Sequence, residues 1–310
     1  MRSFSHHFRK DVVIHSWRGQ KALAEAARLG YQGVLSNGYY IDLVYPASQH
    51  YTVDPLPADS GLNSDEQKRI LGGEATMWGE WVSPETIDSR IWPRTAAIAE
   101  RLWSPQVVND VNDMYRRLDV VDRQLEELGL THRKNQLMML RRLAGTEDIS
   151  ALQMLVSIIE PVKEYHRYQL RPQTMLSPLT GLVDAAQPDA RGAREFNKAV
   201  DDMLAGVNRG ENAAKIRTMI NEWHEADASL HRIMENSPSL AEAKQLAVDL
   251  QAVDQIAKEA IDSLEAGNLN DPAWRDTRLK MLNEIAKPKA ALEIVVISGV
   301  RKLVNAASTR

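Results

Sequence analysis

The stretch Asp11 to Leu43, DVVIHSWRGQKALAEAARLGYQGVLSNGYYIDL, decides the fold. Its first seven residues, Asp11–Trp17, form a β-branched run ending in an aromatic ring, a strand signal. Gln20–Leu29 has helix-forming composition, with Leu23, Ala26, Ala27 and Gly30 at helical spacing and Gly30 as a natural stop. Gly33–Ser36 then reads as a short buried strand. Strand, helix, strand over so few residues is a βα crossover with parallel strands. A third strand is expected at Arg69–Glu74, and a long helix is expected to start near Trp92–Pro93, where proline suits a first helical turn. Three such units make an open sheet and not a closed barrel.

From about residue 107 the pattern becomes wholly helical. Val111, Met114, Leu118, Val121, Leu125 and Leu128 recur at spacings of three and four, as do Leu246, Leu250, Val253, Ala257, Ile261 and Leu264. Arg171–Arg191 carries three prolines and reads as an extended surface connection, while Pro288–Val304 is apolar enough for a buried closing helix. The expected organisation is an α/β part over residues 1–106 followed by an all-α part over 107–310.

A chain of 310 residues can bury two cores. The net charge of −4 gives no electrostatic footprint for nucleic acid or an anionic membrane, so neither is an expected partner. The chain has no cysteine, which removes disulfides, thiolate metal sites and a cysteine nucleophile. The N-terminus, MRSFSHHFRKDVVIHSW, lacks an apolar run of signal-peptide length. The expected location of the chain as given is cytoplasmic; as part of a longer precursor it would be periplasmic or secreted.

In parallel βα folds the functional groups sit where strands end and loops open. Three ends can be read: Trp17 at the first, Tyr39, Tyr40 and Asp42 at the second, Trp78 and Glu80 at the third. Tryptophan faces stack on pyranose rings, carboxylates accept from sugar hydroxyls, and a tyrosine hydroxyl can donate to an acetamido oxygen. A single tryptophan here could equally be packed under a loop; agreement across three strand ends favours a sugar pocket. Glu74 alternates onto the same face as Thr76, Trp78 and Glu80, at greater depth, and is either a clamp on neighbouring loops or an acid held for use. Arg90, Arg94, Glu100 and Arg101 have helical spacings suited to anchoring a helix to the underside of a barrel. His6, His7 and His15 lack carboxylates at metal-ligand spacing, so no metal and no cofactor is expected.

Taken together, VVIHSWRG, SNGYYIDL and GGEATMWGEWVSPETIDSRIWPRTAAIAERLWS resemble the sixth strand, seventh strand and barrel end of the family 20 glycoside hydrolases, the β-N-acetylhexosaminidases. The resemblance covers roughly residues 11–104 and implies the last three βα units of a (β/α)8 barrel. It implies Trp17 and Trp78 as pocket walls, Tyr40 as donor to the acetamido oxygen, and Asp42 and Glu80 as acceptors for ring hydroxyls, with Glu74, Arg90, Arg94 and Glu100 structural. The family reaction is substrate-assisted: the acetamido oxygen attacks the anomeric carbon, an aspartate stabilises the oxazolinium, and an adjacent glutamate protonates the leaving oxygen. That Asp-Glu pair has no matching context here, since Asp65-Glu66 lies in a polar segment not preceded by a strand.

Three readings follow. One is a small hydrolase releasing terminal β-linked N-acetylhexosamine, its open sheet covered by a symmetric dimer, with Asp42, Glu80, Glu74 and Tyr40 as candidate catalytic residues. Another is a non-catalytic sugar-binding protein keeping Trp17, Tyr39, Tyr40, Asp42, Trp78 and Glu80. The last is a C-terminal piece or subunit completed by a partner chain.

Overall fold

The computed structural model describes residues 9–170 and 173–309, so His6 and His7 lie outside the described residues. It divides into two compact units, one over residues up to 82 together with 87–132, the other over 83–86 together with 133–310.

In the first unit, β1 (Val13–Ser16), β2 (Gln32–Leu35) and β3 (Ile70–Gly73) form a parallel sheet in that order. Val13 pairs with Gln32 and Ser16 with Leu35 in one ladder; Gly33 pairs with Ile70 and Leu35 with Gly73 in the other. Helix α1 (Gln20–Arg28) crosses between β1 and β2 and buries Leu23, Ala24, Ala26 and Ala27, the stripe its spacing predicts. Leu23 sits directly over Gly33, where a Cβ would lie 2.5 Å from the Leu23 Cδ1 and 3.0 Å from the Ile14 carbonyl oxygen, so a glycine suits this close crossover. The strand alternation turns Gly33 and Leu35 into the core and leaves Gln32, Val13 and His15 exposed on the opposite face. Leu23, Leu35, Tyr39, Ile41 and Ile98 form one buried cluster.

After β2 the chain runs through α2 (Ala47–Tyr51) and α3 (Ser64–Gln67) before reaching β3. Asn63 caps α3 by accepting from the Asp65 and Glu66 N–H groups while Glu66 accepts from the Asn63 N–H, so the Asp65-Glu66 pair serves a helix terminus. Beyond β3, α4 (Ile87–Ile91) and α5 (Arg94–Trp103) flank a cis Trp92–Pro93 peptide; the long helix therefore starts just after the proline. The unit closes with α6 (Val111–Glu127).

The division at residue 132 corrects the expected boundary at 106. Helix α6 belongs to the first unit because Met114, Tyr115 and Leu118 bury themselves against Ala47, Tyr51 and Ala97. Polar contacts reinforce this: Tyr51 donates to Glu100 (2.7 Å), Arg117 Nε donates to the other Glu100 oxygen (3.0 Å), and the Ser48 N–H donates to the Tyr115 hydroxyl (3.1 Å). Leu128, at the end of the predicted stripe, is exposed. Residues 83–86 go with the second unit because Arg142 grips the Glu85 carboxylate with two hydrogen bonds of 2.9 and 2.7 Å.

The second unit contains α7 (His132–Ala144), α8 (Ser150–Val156), β4 (Ile159–Pro161), α9 (His166–Leu170), α10 (Leu182–Ala185), α11 (Arg191–Leu204), α12 (Arg209–Asn236), α13 (Lys244–Ala266), α14 (Pro272–Ile285), β5 (Leu292–Ile294) and α15 (Ile297–Ala306). Leu246, Leu250, Val253, Ala257 and Ile261 of α13 are all buried, as the periodicity predicts. The rings of Phe196 and Trp223 meet at 4.8 Å between α11 and α12. The expected surface connection over 171–191 is half wrong: Leu182, Val183, Ala185, Ala186 and Ala190 are core residues, and Asp184 forms a buried ion pair of 2.8 Å with Arg167. Residues 174–176, Pro178 and Thr180 are exposed, so the first half of the segment is the surface connection expected. The predicted closing helix is β5 plus α15, and β5 pairs antiparallel with β4, a short strand pair within the helical region.

Candidate functional site

The carboxyl ends of β1, β2 and β3 bring the candidate residues together. Past β2 the chain stays beside the segment that follows β3: the Thr76 N–H donates to the Tyr39 carbonyl (3.1 Å) and the Ile41 N–H to the Thr76 carbonyl (2.9 Å). This extra rung places the Ile41–Leu43 turn next to Thr76–Trp78. On the other side, the Asn37 side-chain amide donates to the Trp17 carbonyl at 3.2 Å, tying the end of β1 to the same loop. Trp17 and Trp78 are each 57% exposed, and the Arg18 guanidinium lies 4.8 Å from the centre of the Trp17 ring. Neither tryptophan is packed under a loop, which answers the alternative left open by the sequence.

Tyr39 and Tyr40 separate sharply. Tyr39 is fully buried; its hydroxyl donates to the Val53 carbonyl at 3.0 Å, and burial, then the charge of Asp54, push its pKa far above the ordinary phenol value. It is core, and its assignment to the pocket is corrected. Tyr40 is half-buried and its hydroxyl accepts from Ser36 at 3.4 Å, leaving the phenol proton available to a ligand.

Asp42 is the unusual group. It is 5% exposed, and neither carboxylate oxygen has a hydrogen bond of ordinary geometry. Burial raises its pKa most, and the charge of Glu80 adds to that; the nearby backbone N–H groups of Asp42 itself and Trp78, and Arg94, pull the other way. Buried carboxylates are normally paired, and the backbone N–H groups of Asp42 and Trp78 are the donors that lie near this one. Glu80, by contrast, is exposed.

Glu74 does not lie deep in a strand as expected. It follows the end of β3, is half exposed, and accepts from His15 Nε2 at 2.8 Å, bridging the ends of β1 and β3 across β2. This arrangement matches the clamp alternative, with His15 as the partner. Among the described residues no group of three or more histidines and acids could hold a metal ion.

The arginines are corrected in a different way. Arg90, Arg94 and Arg101 are all buried, and Arg94 reaches toward the loop side of the sheet: Nη1 donates to the Tyr45 carbonyl (2.7 Å) and Nη2 to the Ile41 carbonyl (2.9 Å). Helical spacing signals that such residues are anchors; it does not identify what they anchor.

Residues 1–106 match the model described as glycosyl hydrolase family 20, catalytic domain. The chain is similar to the β-hexosaminidase subunit beta of Rattus norvegicus, 36% identical over 116 residues that make up 35% of this chain and 21% of that subunit. It is also similar to the β-hexosaminidase subunit alpha of Bos taurus, 38% identical over 120 residues, 36% of this chain and 22% of that one. Among solved structures it resembles the chitobiase of Flavobacterium johnsoniae, with 38% identity and a TM-score of 0.85, covering 94% of this chain and 45% of the chitobiase. The chain therefore spans about a fifth of the length of the curated relatives it matches and under half of the chitobiase, whose likeness extends through the helical region.

Proposed function

We propose that residues 1–106, which match the glycosyl hydrolase family 20 catalytic-domain model, are part of such a domain, and that the chain forms one wall of a site for terminal β-linked N-acetylhexosamine and acts in its hydrolytic release. The observation that carries this reading is Asp42, a buried carboxylate near the Trp78 segment and Glu80 whose oxygens have no hydrogen bond of ordinary geometry. Sugar hydroxyls are neutral donors that such a carboxylate can accept from, and a charged partner is not required. The apolar face of the pyranose would stack on Trp78 and Trp17, the Tyr40 hydroxyl would donate to the acetamido oxygen, and Glu80 would accept from a hydroxyl at the rim.

A substrate-assisted, retaining reaction suits these roles. A tyrosine that holds the acetamido oxygen near the anomeric carbon supplies orientation of the internal nucleophile. Glu80 and Asp42 are the carboxylates we place at the pocket as acid and orienting group. Glu74 is already committed to His15 and takes the structural role.

A second reading has the acid pair supplied by the earlier strands of the barrel, carried on a partner chain. It is favoured by the exposed Val13 and Leu71 side chains and by the outer edges of β1 and β3, which have no strand partner among the described residues. Release of nitrophenol from its β-N-acetylglucosaminide tests both. Turnover by the chain alone that is lost in Glu80→Gln supports the first reading; turnover only when other strands are added supports the second; and turnover unaffected by Trp78→Ala and Asp42→Asn would remove the site assignment.

A further inference from the structure

Arg94 is 1% exposed, and a guanidinium taken this far from water is costly unless its donors are met. Three of its acceptors are main-chain carbonyls: Arg90 at the end of α4, Ile41 immediately before Asp42, and Tyr45 three residues after it. The span between the last two holds Val44 at φ 55°, ψ 31°, in the left-handed region. A β-branched residue there is strained and stays there only if the surroundings over-determine it. The two arms of one planar fork, one on each side of Asp42 and Val44, supply that constraint. A lysine, with a single donor centre, cannot hold both carbonyls in a fixed separation.

We propose that Arg94 is a positioning residue of the sugar site: by clamping the carbonyls of Ile41 and Tyr45 it holds the strained turn that presents the Asp42 carboxylate to the ligand, and does not itself touch the ligand. This rests on the reading of Asp42 as a sugar-binding group, and it adds how a buried carboxylate with no hydrogen bond of ordinary geometry is kept aimed at the pocket. The clamp also brings a positive charge near Asp42, opposing the effects of burial and Glu80.

The test is a mutant cycle read by titration of N-acetylglucosamine into the full chain. Arg94→Lys is expected to weaken binding about tenfold in the parent, and less than twofold when Asp42 is already asparagine, because the two side chains act through one contact. An equal factor in both backgrounds would mean that Arg94 only supports the fold, and would overturn the proposal. Circular dichroism establishes that each variant is folded; Arg94→Gln is the more severe variant, and Arg94→Lys carries the cycle where it unfolds. Should the parent bind no sugar, or Asp42→Asn bind as well as the parent, the sugar reading fails and the clamp is judged separately, by NMR titration of the Asp42 carboxyl carbon. An upward move of that titration in Arg94→Lys, which keeps the positive charge, supports the clamp, and an unchanged titration in Arg94→Lys overturns it.

Discussion

Replacing Asp42 by asparagine should move stability and binding in opposite directions. The side chain is 5% exposed and neither oxygen has a hydrogen bond of ordinary geometry, so the folded chain carries part of the cost of an under-satisfied buried acceptor, about 1–3 kcal/mol for a polar group. Burial, with Glu80 adding, raises its folded-state pKa above the unfolded value. For a carboxylate raised in this sense, folding takes up protons. The destabilisation is fully present above the folded pKa, shrinks as pH falls through it, and is gone below the unfolded value of about 3.9. Asparagine keeps the shape and removes the charge, so at pH near 8 the variant should be more stable by about 1 kcal/mol, or roughly 3–5 °C in the melting of the first unit. That gain should fade on acidification. Binding of N-acetylglucosamine should weaken about ten- to a hundredfold, the loss expected for hydrogen bonds to a charged acceptor. Calorimetric melts at pH 8 and pH 4 with parallel sugar titrations read both quantities. A variant that is less stable at pH 8 and binds sugar like the parent would show that Asp42 is a structural carboxylate and refute the reasoning.

Three further outcomes follow from the same structure. Glu80→Gln removes a like charge beside Asp42 and should lower the pH at which the Asp42 carboxyl carbon titrates by NMR; no movement would place Glu80 too far away to share its ligand. Tyr39→Phe loses a buried hydrogen bond to the Val53 carbonyl, so urea unfolding should show a loss of about 1 kcal/mol with sugar affinity unchanged, whereas weakened binding would return Tyr39 to the pocket. Gly73→Ala puts a Cβ 2.5 Å from the Tyr39 ring and 3.0 Å from the Leu35 carbonyl, and thermal melts should register a loss of about 1–3 kcal/mol; a neutral result would mean that the ring moves freely.

The βα region was legible in the sequence because each element is local and strongly patterned. The first strand, the helix starting at Gln20 and the second strand fall within two residues of their expected bounds, since a β-branched run, an alanine-rich helix and a glycine stop act over single turns. The unit boundary was not legible. The sequence from residue 107 reads as helix, and it is helix, but whether α6 packs on the first or the second unit depends on Tyr51 and Ala97, far away along the chain. The Leu182–Ala185 segment failed for a related reason: proline and glycine mark turns reliably, yet a turn-rich segment can still be buried when a short helix and an ion pair satisfy its polar groups.

The same distinction applies inside the candidate site. Strand ends identified which residues gather there, because alternation and loop position are local properties. They could not separate Tyr39 from Tyr40, since both lie beyond the last residue of β2, where strict alternation stops and the rung to Thr76 decides which ring turns inward. Nor could a motif reveal that Asp42 is held by a side chain fifty-odd residues later in the chain: Arg94 is invisible as a functional residue when read with its own helix, where its spacing to Arg90 and Arg101 suggests only anchoring. What distinguishes it is the target of its donors. A buried arginine that spends two of them on carbonyls flanking a strained, acid-bearing turn shapes the pocket from behind, and any reading of such a site that stops at the groups lining it will assign the chemistry to residues whose placement is determined elsewhere.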